Sequence, residues 1–360
     1  MHGVTPPLYV EGVALEISFA DASRNLSELI FDTVRASVDD AGVDMADIDS
    51  VVLAAHDLVD GRSLSSMVTA PAAGAYLRDE TRYSDDGGAA LAGAVARLEA
   101  GDNQRSIVAA WGRSSEHDPD AFSRALFDPF MTRPLGLDEF VLSALRGELL
   151  LRSPAAKAAH GQAQARRAET AARNPRSLGG GRGFRSTPHY PLTEQDLPVW
   201  ADVVASLVIS TEPTPVRLLG LGQSSEPYLF GDRPLGVIRS LREAADRALV
   251  DAGLTVADLD VVEIDGLTLI DEALGLEAVR LADEGDGLRM LAEDDRANPS
   301  GGGASGYSRP VMGLARVVEA ILQLRGTAGA VQIPGARTAL ATGSSTVAGQ
   351  TQTAIVLAAA

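Results

Sequence analysis

Three short stretches hold the residue types that carry chemistry. Tyr83-Ser84-Asp85-Asp86 stands directly before Gly87-Gly88, putting a hydroxyl and two carboxyls at the start of a small-residue helix. A serine there becomes a nucleophile only beside a strong base, and two neighbouring carboxylates oppose any further anion. Glu263-Ile264-Asp265-Gly266 closes an apolar run that opens at Val261. Asp265 is either a base in a dry pocket or a turn and cap residue. Gly306-Tyr307-Ser308-Arg309-Pro310 sets a phenol two residues from a cation. Tyrosine, with an ordinary pKa of about 10, works as an acid or base when a neighbour lowers that value. Arg309 is the candidate neighbour, and space filling is the other reading of Tyr307.

Other chemistry is excluded or weakly supported. The chain of 360 residues contains no cysteine, so thiolates, disulfides and Cys metal sites are out, and a cytoplasmic setting is expected. None of the five histidines can be set beside Ser84 by motif, and His56 reads as a loop residue. His117, His160 and His189 fall in one Arg- and Pro-rich region without metal-ligand spacing, so no metal is expected. Lys157, the one lysine, lies in a polar stretch poorly suited to a Schiff base. Gly179 to Gly183 follows no strand and lacks the phosphate-loop lysine. A formal net charge of −18 argues against nucleic acid. No run approaches the ~20 apolar residues of a membrane span, and Met1 to Gly12 has no secretory pattern.

An internal repeat positions these stretches. Ser37 to Val51 (SVDDAGVDMADIDSV) and Ala248 to Val262 (ALVDAGLTVADLDVV) match without a gap at Asp40/Asp251, Gly42/Gly253, Asp47/Asp258 and Asp49/Asp260. Each reads as a helix stopped by glycine, an acidic turn and an apolar strand. Gly87 to Gly101 and Gly313 to Gly326 echo each other as small-residue helices, followed by the strands Ser106 to Trp111 and Thr338 to Ala341. Two related halves, 1–215 and 216–360, predict a duplicated five-layer α/β protein. Residues 114–195, rich in Arg, Pro and Gly, read as an insertion in the first half, with helices near Leu137 to Leu151 and Ala155 to Arg173.

With its Asn298 to Gly326 stretch (NPSGGGASGYSRPVMGLARVVEAILQLRG), its repeat and its ARNP segment at Ala172 to Pro175, the chain resembles the thiolase superfamily, sterol-carrier-protein branch. The resemblance implies the αβαβα thiolase fold with a loop-domain insertion. It also implies three catalytic positions, and all three differ here. Ser84 falls nearest the nucleophilic cysteine, Tyr307 replaces the histidine of a Gly-His-Pro loop, and Ala341 to Gly343 carries no second cysteine. Thiolysis and Claisen condensation are therefore not expected.

Two functions remain open on this resemblance. Cys-free relatives cleave β-hydroxyacyl-CoA thioesters from steroid side chains as retro-aldolases, beside an OB-fold and zinc-ribbon partner. On that reading the chain is a carbon-carbon lyase with Tyr307 and Asp265 as acid and base candidates and Ser84 beside them. The substrate is carried as a CoA thioester, no cofactor is covalently bound, and a homodimer joins its partner in a heterotetramer. Amides near Gly303 and Gly306 would hold the enolate, and arginines between Arg166 and Arg185, with Arg182 and Arg185 foremost, would face the CoA phosphates. The alternative is a catalytically silent subunit that pairs with an active thiolase or an acyl-CoA-binding protein.

Overall fold

Strands with unbroken apolar runs and helices with one apolar face must bury both against each other, and here they do so twice. The computed structural model describes residues 6–60, 66–178, 183–345 and 347–360. The first part contains β1 (Leu8–Ser18), α1 (Leu26–Ala41), β2 (Ser50–Ala54), α2 (Asp57–Asp60), α3 (Ser66–Thr69), β3 (Asp79–Tyr83), α4 (Gly87–Ala100) and β4 (Arg105–Arg113). Then come α5 (Pro119–Leu126), α6 (Glu139–Leu150), α7 (Pro154–Arg173) and β5 (Asp202–Ser210). The remainder contains β6 (Val216–Ser225), α8 (Arg239–Ala252), β7 (Val261–Glu263), α9 (Leu269–Ala278), α10 (Gly287–Glu293), α11 (Met312–Leu324), β8 (Thr338–Ser345) and β9 (Thr351–Ala359).

The strands run in the order β3-β2-β4-β5-β1-β6-β9-β8-β7, and β1 meets β6 at only two residue pairs. The order β3-β2-β4-β5-β1 is repeated by a bridge at Ala297, then β7-β8-β9-β6. Helices α4 and α11 pack on each other and on strands of both half-sheets, forming the middle layer, while α1 and α8 cover the outer faces. The architecture is thus the expected duplicated five-layer α/β fold.

The repeat residues explain the duplication atom by atom. Gly42 and Gly253 end α1 and α8 at φ +69 and +67, the left-handed conformation that glycine adopts without strain. Asp40 accepts the Val13 amide, and Asp251 accepts the Leu221 amide. Asp49 accepts the amides that open β4, and Asp260 accepts those that open β8. A Cβ on Gly12 would lie 2.1 Å from the Ser37 carbonyl oxygen, and one on Gly220 would lie 2.1 Å from that of Ala248. Each glycine lets its strand approach the equivalent outer helix.

Candidate active site

Asp265 is set by the loop that leaves β7. The Asn298 side chain, on a residue at φ +46, accepts the Ile264 amide at 2.6 Å and donates to the Ile264 carbonyl. Asp265 itself donates its amide to Thr342 and accepts the Ser344 amide at 2.9 Å through Oδ2. Its Oδ1 is buried without a hydrogen-bond partner. Burial pushes the Asp265 carboxyl up to about 6, while the Ser344 amide, Arg316 and the facing Tyr307 hydroxyl draw it part of the way back. A carboxyl in that range is a base near neutral pH.

Tyr307 is held as part of a short β-like crossing. Its amide donates to the Val199 carbonyl, its carbonyl accepts the Ala201 amide, and its ring meets Trp200 edge-on at 5.5 Å. The side chain is 2% exposed. Burial, then Asp265 and Asp86, push the phenol well above its ordinary value. The expected lowering by Arg309 is corrected on physical grounds. The Arg309 guanidinium turns to Glu139, the first residue of α6, and burial brings it down to about 10. Tyr307 therefore stands as a neutral hydrogen-bond donor.

The stretch before α4 divides between surface and core. Ser84 is exposed, whereas Asp86 is buried and caps α4, accepting the Gly88 amide at 2.7 Å. Its other oxygen accepts the Gly313 amide at 2.8 Å. Burial first, and Asp265 second, push Asp86 well above the usual carboxylate range. A cavity of about 220 Å³ takes in Ser84, Asp85, Asp86, His56, Phe122 and Leu126. A narrower one of about 30 Å³ takes in Asp265 and Tyr307, and both include Arg309 and Ser344. Ser84, Asp265 and Tyr307 are thus gathered into two adjoining spaces. His56, beside Ser84 in the larger one, is pushed down by burial and packs edge-on to Phe122 at 5.0 Å.

The glycine loop and the arginines serve different ends from those expected. The Gly303 amide donates to Glu272 at 3.0 Å, and a Cβ on Gly302 would strike the same carboxylate. A Cβ on Gly306 would lie 2.5 Å from Ile17, so that glycine permits packing on β1. Arg167 pairs with Glu272, Arg176 with Glu319, Arg146 with Asp271 and Arg166 with Asp295. Arg185 donates to the Glu194 and Leu197 carbonyls. These contacts clamp α6 and α7 onto the second half and leave the side chains committed to protein acceptors. Arg182 lies outside the described residues.

Residues that the sequence reading passed over complete the surroundings. Glu263, at 0% exposure, accepts Ser300 and Arg316, and burial pushes it up to about 7. Arg316 also donates to the Gly302 carbonyl at 3.0 Å. The available signal was an ionisable residue at a core position: Glu263 in an apolar strand, and Arg316 and Glu319 on the apolar period of a helix.

Comparison with known proteins fits this architecture. Residues 222–358 match a family model described as thiolase C-terminal domain-like. Human sterol carrier protein 2 is 39% identical over 107 residues, which are 28% of this chain and 20% of that protein. The match therefore spans about a fifth of that relative's length. The Ltp2-ChsH2(DUF35) aldolase superposes with a TM-score of 0.80 at 18% identity, covering 99% of each chain. A monomeric SCP2-thiolase-like protein type 1 from Mycobacterium smegmatis superposes with a TM-score of 0.73 at 17% identity, over 98% of this chain and 77% of that one. Among the described residues no helix is long and apolar enough to cross a membrane.

Proposed function

Because the chain is a thiolase-superfamily protein of the sterol-carrier-protein-2-like type, we propose that its Cys-free site cleaves a carbon-carbon bond, as a retro-aldolase acting on a β-hydroxyacyl-CoA thioester. The observation that carries this reading is the buried, unpartnered Asp265 Oδ1 facing the neutral Tyr307 phenol. Asp265 takes the proton of the β-hydroxyl, and the O–H electron pair becomes the new carbonyl π bond. The Cα–Cβ pair passes to the thioester as an enolate, whose oxygen accepts a hydrogen bond from Tyr307. Asp265 then returns the proton to Cα. No covalent acyl-enzyme forms, so neither Ser84 nor a thiol is required.

The reading includes a cytoplasmic homodimer and a partner of the DUF35 class, the OB-fold and zinc-ribbon type, as the superposed aldolase is a complex with a DUF35 protein. The acyl group, steroid or smaller, is part of what the assay identifies. Co-expression with such a partner should give cleavage of a β-hydroxyacyl-CoA into a shortened acyl-CoA and a carbonyl compound, read by mass spectrometry. Tyr307→Phe should abolish that cleavage while leaving the fold intact. Full activity in that variant would remove Tyr307 from the mechanism.

One observation favours the silent-subunit reading. The amides of Gly88, Gly313 and Gly303, suited to an oxyanion, already serve Asp86 and Glu272. Copurification with a Cys-bearing thiolase and no turnover with any β-hydroxyacyl-CoA would decide for it.

A further inference from the structure

Asp86 has no part in the cleavage just described, yet its carboxyl ties together both helices of the middle layer. Oδ2 accepts the Gly88 amide at the start of α4, and Oδ1 accepts the Gly313 amide at the start of α11. The fit is close, because a Cβ on Gly313 or Gly343 would lie 2.0 or 2.2 Å from Oδ2. Asp265 holds the next residue of the same strand through the Ser344 amide. The two carboxyls therefore flank a single peptide unit, Gly343-Ser344 of β8. Asp86 lines the larger cavity and Asp265, with one oxygen unpartnered, the smaller.

The nearby cations bond other carboxylates, Arg309 to Glu139 and Arg316 to Glu263, and reach the pair only through space, Arg309 toward Asp86 and Arg316 toward Asp265. Two buried carboxyls on either side of one peptide unit resist carrying charge together, so ionising one raises the proton affinity of the other. We propose that Asp86 and Asp265 form one proton-sharing pair, Asp86 keeping the proton and Asp265 exchanging with the substrate. Asp86 is then a positioning residue, and the charge of the ionised base holds its proton in place. The role in catalysis rests on the aldolase reading, and the pairing itself does not.

The surrounding groups divide by sign. Asp85 adds to the proton affinity of Asp86, and Glu272 to that of Asp265. Arg316 acts the other way on Asp265, as do the Gly88 and Gly313 amides on Asp86. The phenol of Tyr307 stays neutral between the two carboxyls and Asp271. Proton counting closes over a turnover. The pair begins with one proton, Asp265 accepts a second from the β-hydroxyl, and that proton leaves on Cα.

The test is a carboxyl-carbon NMR titration of the protein labelled with ¹³C-aspartate, from pH 4 to pH 9. Wild type should show one buried carboxyl titrating near 6 and a second still protonated where it ionises. Asp265→Asn should lower the Asp86 midpoint by about one pH unit, because it removes the charge that faces Asp86 as it ionises. Asp86→Asn should leave the Asp265 midpoint near 6, because Asp86 is still neutral where Asp265 ionises. Should Asp265→Asn not fold, Asp265→Ala removes the same charge. An Asp86 midpoint that stays put when the Asp265 carboxyl is removed would overturn the pair. Absence of turnover leaves this titration decisive, so the two readings fail separately.

Discussion

The two halves of the molecule share one fold and differ in what they bury. The repeat aligns Val52 and Ala54 of β2 with Glu263 and Asp265 at the end of β7. The first pair is fully apolar and shut away, and the second is also buried but acidic. The middle-layer helices repeat the contrast: α4 buries Gly, Ala, Leu and Val, while α11 buries Arg316, Glu319 and Gln323. Since the first half folds with hydrocarbon at these positions, topology does not demand the charges of the second half. Buried ionic groups cost more to desolvate than apolar packing of similar volume. Their concentration around Asp265 and Tyr307 marks where the fold has given up stability for chemistry.

Removing one partner from this ionic core should have the largest effect. Arg316→Ala leaves Glu263 buried without its cation and should cost about 3–5 kcal/mol in urea denaturation. A loss near zero would erase the contrast between the halves. Tyr307→Phe should lower aldol cleavage by about 100-fold or more with little change in melting temperature, because its hydroxyl faces only the Asp265 carboxyl of the site.

Asp265→Asn should separate function from stability. The folded Asp265 carboxyl has a pKa of about 6, against an ordinary value of 3.8. Its ionisation therefore destabilises the fold progressively as pH rises from about 4 to 6, and fully above that. The asparagine variant should gain about 3 kcal/mol at pH 8 and little at pH 4, measured by denaturation at both values. Equal effects at the two pH values would contradict a buried titrating carboxyl. Ser84→Ala should change turnover by less than about twofold and stability by only a few tenths of a kcal/mol, as for an exposed side chain. A large loss of rate would return Ser84 to the mechanism.

Much of the fold was legible because its signals are local. Gly42 and Gly253 cap their helices, Asp47 and Asp258 close the turns that follow, and short-range contacts of this kind leave a spacing in the chain. The gathering of Ser84, Tyr307 and Asp265 could be read from motif order. Their protonation states could not, since these depend on groups brought from far away. Arg309 sits two residues from Tyr307 but is turned aside by Glu139, 170 positions earlier. Asp86, next to Ser84, gained its importance from Gly313 and Gly343, which only the middle layer brings to it. The arginines of the insertion misled for the same reason, as their acidic partners lie in α9 and α11.

The central claim is that Asp265 is the base of a Cys-free cleavage with Tyr307 as its neutral donor. The direct measurement is the pH dependence of kcat/KM for a β-hydroxyacyl-CoA, taken with the DUF35-type partner present. The rate should fall as pH drops through about 6, and this cleavage should be lost in Asp265→Asn and in Tyr307→Phe. Wild-type rates in both variants, or a flat profile from pH 5 to 8, would contradict the account.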